Sequence, residues 1–78
     1  MLHTSQLLAL MRAENAQGER PRVNITYRKN DGELATFLEA RLIKYTPSNE
    51  TILVAVPGGN RRLRLYTIVA CNGQEVYL

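Results

Sequence analysis

A chain of 78 residues with one cysteine and one histidine is a single domain in size. It has no disulfide within itself, and it lacks the roughly four Cys or His ligands of a structural zinc site. Hydrophobic residues at 45% and charged residues at 22% place it among globular chains, and no apolar run approaches the roughly 20 residues of a membrane span. The formal charge of +3 suits an anionic partner without requiring one.

A domain this small buries only about 60% of its unfolded surface. With disulfide and metal set aside, a homo-oligomer or a protein partner is the expected supplement to its core. The N-terminus has no basic stretch before an apolar core, which reads against a secretory leader and, with one free thiol, for a cytoplasmic protein.

Residues 4–16 read as an amphipathic helix. Thr4 or Ser5 supplies an N-cap oxygen, Leu7, Leu8, Leu10 and Met11 recur at helical spacing, and Gly18 and Pro21 stop it. From Val23 to Lys29, Val23, Ile25 and Tyr27 alternate with Asn24, Thr26 and Arg28, the period of a half-buried strand. Asn30-Asp31-Gly32 follows as a tight hairpin turn.

Residues 33–45 admit two readings. Leu34, Leu38, Leu42 and Tyr45 fit a helical stripe, with Asp31 as a possible cap. The preceding hairpin turn favours instead a long strand whose bulge or bend changes the buried face. Thr46-Pro47-Ser48-Asn49 is a turn by composition, and Thr51 to Val56 is a β-branched strand. Pro57-Gly58-Gly59-Asn60 makes a second hairpin, Arg61 to Ala70 a further strand, Cys71-Asn72-Gly73 a third turn and Gln74 to Leu78 a closing strand.

The expected fold class is mainly β, a single domain over 1–78: an N-terminal helix, then a five-stranded antiparallel small barrel over 23–78. Closure would remove the exposed sheet edges.

Catalytic chemistry is not in view. His3 is the only histidine and Cys71 has no basic neighbour in sequence, so no nucleophile and base pair is apparent. The carboxylates are scattered singly, and Gly58-Gly59-Asn60-Arg61 lacks the spacing of a phosphate-binding loop. A non-enzymatic binding module without metal or cofactor is the reading.

Basic residues cluster early, with Arg28 and Lys29, and late, in Arg61-Arg62-Leu63-Arg64-Leu65-Tyr66. On a strand, Leu63 and Leu65 share one face while Arg62, Arg64 and Tyr66 share the other. Two guanidiniums and a ring on one face suit phosphates and a stacked base, and Arg28 extends the patch if closure joins its strand to theirs. The plainer alternative is a solvated outer face whose arginine stems cover apolar surface.

From Val23 onward the order of features resembles the WYL domain, a member of the Sm-like small-barrel superfamily. The resemblance is carried by Ile25-Thr26-Tyr27-Arg28, Asp31-Gly32-Glu33, Leu42-Ile43-Lys44-Tyr45, Ile52-Leu53-Val54-Ala55 and the basic-apolar run Arg62 to Ile68. Thr51-Ile52-Leu53 stands where that family has Trp-Tyr-Leu. The resemblance implies an SH3-like or Sm-like barrel and a nucleic-acid-linked or regulatory binding role. From a different class comes an assembly subunit, in which the helix stripe or the edge from Gln74 to Leu78 packs against a copy of itself or another protein.

Overall fold

The computed structural model describes residues 1–77. Strands β1 (Leu2–His3), β2 (Arg22–Arg28), β3 (Leu34–Thr46), β4 (Thr51–Val56), β5 (Gly59–Arg64), β6 (Ile68–Cys71) and β7 (Gln74–Tyr77) form one mixed sheet, with helix α1 (Thr4–Arg12) between β1 and β2. The strand order is β1-β7-β6-β2-β3-β4-β5, so the sheet is mainly β and seven-stranded, not the expected closed five-stranded barrel. Leu78, the end of the expected closing strand, lies outside the described residues.

The helix is shorter than the expected 4–16. Asn15 accounts for this: its Oδ1 accepts from the Gln17 and Glu19 amides at 2.9 and 3.0 Å, and its backbone carbonyl accepts from Gly18 at 2.9 Å. An asparagine that satisfies the backbone this way favours a turn over further helix. The cap is also different. His3 Nδ1 accepts from the Ser5 amide at 3.1 Å, while the His3 amide donates to Gln6 Oε1 at 2.9 Å. Leu7 and Met11, one helical turn apart, are fully buried, whereas Leu10 is exposed.

Residues 34–46 are strand, and two irregularities explain their helix-like spacing. The register with β2 shifts between Val23 and Ile25, and the register with β4 shifts between Leu42 and Lys44. Each extra residue turns the next apolar side chain back toward the core. Phe37, Ala40, Leu42 and Tyr45 therefore pack inward, and Leu34 and Leu38 face out. Asp31 caps no helix; its Oδ1 accepts from the Glu33 amide at 3.0 Å within the hairpin turn.

The first bulge places Glu39 at φ 54°, and its amide donates to Asn24 Oδ1 at 3.1 Å. A left-handed backbone costs a non-glycine residue about 1–2 kcal/mol, more than the backbone entropy that glycine adds. Glu39→Gly keeps the amide and its hydrogen bond, so it is expected to stabilise the fold by about 0.5–1 kcal/mol, raising Tm by about 2–8 °C. Thermal unfolding followed by circular dichroism checks this, and a lowered Tm refutes it.

The expected strand over 61–70 is broken. β5 ends at Arg64, a 3-10 turn occupies Leu65–Thr67, and β6 begins at Ile68. The Thr67 hydroxyl donates to the Arg64 carbonyl at 2.7 Å, and the Leu65 amide donates to the Glu50 carbonyl at 2.7 Å, fixing the corner. This corner bends the whole sheet. In a flat sheet β5 and β6 would stand four spacings apart, about 19 Å, yet Arg64 reaches Ile68 in four steps of at most about 3.6 Å. The sheet must curl to bring β5 back toward β6 and β2, although among the described residues no strand pairing closes the gap.

The core inside the curl joins Leu7 and Met11 to Ile25, Ile52 and Val54, all fully buried. Cys71 belongs to this core at 1% exposure, and burial pushes its thiol above the ordinary value, which keeps it in the unreactive protonated form. β1 pairs parallel with β7, Leu2 beside Val76 and His3 beside Tyr77, whose rings meet edge to face at 5.3 Å. Among the described residues no helix is long and apolar enough to cross a membrane, and no three His, Cys, Asp or Glu residues gather as metal ligands.

Candidate nucleic-acid interface

The curl leaves a concavity of about 630 Å³ where the end of β2 faces β5. Its wall on one side is Tyr27, Arg28, Lys29 and Asn30, and on the other Arg62, Leu63, Arg64, Tyr66 and Thr67. All four residues singled out from the sequence, Arg28, Arg62, Arg64 and Tyr66, thus meet at one surface. They reach it by different routes. Arg62 and Arg64 alternate with buried Leu63 on β5, as the strand period requires. Tyr66 does not lie on the strand; the 3-10 turn carries it, and the residue is 50% exposed.

The side chains are partly ordered by each other. The Arg64 guanidinium donates to the Tyr66 phenol oxygen at 3.3 Å, which sets the ring beside the charge. Arg28 donates to the Gly32 carbonyl at 2.8 Å across its own hairpin. Gly32, at φ 89°, supplies the left-handed residue that lets this turn close. Tyr27, on the cleft wall, packs on Phe37 with ring centroids 4.8 Å apart, and both rings lie against the core.

The charge is strongly segregated. The lining carries four of the chain's ten basic residues and none of its seven acids. The remainder of the chain therefore holds one more acid than base, and the net positive charge resides in this cleft. Concave walls with one sign of charge focus the field on an incoming anion. The same lining has no carboxylate, histidine or cysteine.

Lys29, Tyr27, Asn30 and Thr67 line the cleft but were not among the expected site residues. Lys29 follows Arg28 directly and would face the opposite side had the strand continued; β2 ends at Arg28, and the turn brings Lys29 round. The early basic pair was the available signal. Of the two surfaces considered for assembly, the helix stripe buries Leu7 and Met11 in the domain's own core but leaves Leu10 exposed, and β7 is paired with β1 at Val76 and Tyr77.

Comparison with known protein families, with curated proteins and with solved structures returns no match, so the geometry of this cleft carries the functional reading.

Proposed function

We propose that this chain is a non-enzymatic binding module whose ligand is nucleic acid, held in the cleft by Arg28, Lys29, Arg62 and Arg64 with Tyr66 as a stacking ring. The observation that carries this reading is the convergence of four cations and a half-exposed aromatic ring in one concavity free of carboxylates. Phosphates answer the first feature and an unpaired base the second. In this reading the curled strands β2 to β6 are a small barrel of SH3-like or Sm-like kind left open beside the cleft. The order β6-β2-β3-β4-β5 and the three-residue corner before β6 support it.

Fluorescence anisotropy with labelled single- and double-stranded oligonucleotides over a salt series tests the proposal. Affinity for single strands is expected to fall with salt at a logarithmic slope of roughly −0.7 per phosphate contact. Absence of binding even at low salt overturns it and leaves the assembly reading in its place.

A further inference from the structure

We infer that the cleft is one end of a continuous track for an extended single-stranded nucleic acid, which runs over the outer faces of β5, β4 and β3 toward α1. The inference rests on the reading of the cleft as a phosphate-binding surface. Two further hollows carry it. One, about 250 Å³, is lined by Lys44, Thr46, Asn49, Thr51, Leu53 and Arg62, and so shares Arg62 with the cleft. The next, about 330 Å³, shares Lys44 with the second and adds Arg12 and Arg20 beside Ile43 and Tyr45.

The sheet register explains why these hollows join. Lys44 pairs with Leu53, and Leu53 pairs with Arg62. Cross-strand partners share a face, so Lys44 and Arg62 stand in one row two strand spacings apart, about 10 Å. The bulge between Leu42 and Lys44 is what puts the lysine in that row. Arg20 is held at the far end by donating to the Leu42 and Ile43 carbonyls at 3.2 Å each.

Together the three hollows take in seven of the ten basic residues, and none of the seven acids lines any of them. The two hollows around Val56 and Pro57, in contrast, both include Glu39. A compact anion would need only the cleft; a row of cations leading out of it matches a ligand with regularly spaced charge. Exposed Ile43, at 44%, gives bases an apolar contact at the far end as Tyr66 does at the near one. A duplex keeps its bases stacked inside and offers neither residue a free face.

Oligothymidylates and oligouridylates of about three, six and ten nucleotides, titrated over a salt series, test the track. Affinity and the steepness of the salt slope are expected to grow from the shortest strand to the longest. Lys44→Gln should flatten the slope by about 0.7 for the longest strand and leave the shortest unchanged, which also shows the variant is folded. Whichever sugar binds more tightly identifies the natural strand, and both series should show the same length dependence. A slope already maximal at the shortest length, with Lys44→Gln silent throughout, overturns the track while the cleft stands. Tighter binding of a duplex of equal length overturns the single-strand assignment, and no binding at any length overturns the cleft reading itself.

Discussion

Replacing Arg62 and Arg64 together with alanine is expected to flatten the salt dependence of single-strand binding by about 1.4 logarithmic units. At about 0.1 M salt, affinity should drop about 25-fold, the counterion-release gain of two phosphate contacts relative to 1 M. Both side chains are exposed at the cleft wall while Leu63 between them is buried, so the double variant should melt within about 0.5 kcal/mol of the parent. Tyr66→Ala should behave differently. It removes a stacking platform worth about 1–3 kcal/mol per base and leaves the slope almost unchanged. Tyr66→Phe keeps the ring and loses only the phenol oxygen that accepts from Arg64 at 3.3 Å, so it should bind nearly as the parent does. Anisotropy titrations at several salt concentrations separate these outcomes. A double variant with an unchanged slope would show that neither arginine meets a phosphate.

The second large effect is on stability. Ile25→Ala should cost about 3 kcal/mol, within the 2–5 kcal/mol usual for a fully buried isoleucine. Ile25 has no exposed surface and sits where β2 is paired on both sides, opposite Phe37 on β3 and Cys71 on β6. With strands fixed on either flank, the surroundings are poorly placed to collapse into the space left. A domain of this size has about 4–12 kcal/mol to lose, and the change corresponds to a Tm lower by about 12–24 °C. Leu38→Ala, at a position 61% exposed, should stay within about 0.5 kcal/mol. Urea denaturation of the pair gives the contrast directly, and equal effects would contradict the placement of the core inside the curl.

The turns were the most legible part of the chain. Asn72 and Gly73, at φ 51° and 80°, close the β6–β7 hairpin by the backbone freedom that the Asn-Gly pair signals. β2 and β4 were legible because their apolar residues keep a strand's period or run unbroken. β3 was half legible, since its two register shifts replace a spacing of two with spacings of three, from Phe37 to Ala40 and from Leu42 to Tyr45. Spacings of two and three mixed together imitate a helix. A similar trace marked the corner at Leu65–Thr67, where Leu65 to Ile68 is a spacing of three, but a strand with that irregularity looks continuous. β1 has two residues and therefore no period to detect.

Of the cleft, Arg62 and Arg64 follow from alternation alone. Arg28 required the guess that closure brings distant strands together, and the curl bears out that proximity without the closure. Lys29 and Lys44 were illegible as site residues, because one depends on where β2 stops and the other on a bulge.

The parallel pairing of β1 with β7 has a consequence for the order of folding. β2, β3, β4 and β5 join through hairpins, contacts local in sequence that close with little loop entropy. The pairing of Leu2 with Val76 encloses nearly the whole chain, and such non-local contacts are rewarded only after the intervening chain has been ordered. Leu7 and Met11 likewise have no core to enter until the sheet has curled. Residues 2–12 therefore leave the ribosome before the sheet they need and dock only when Gln74 to Tyr77 has followed.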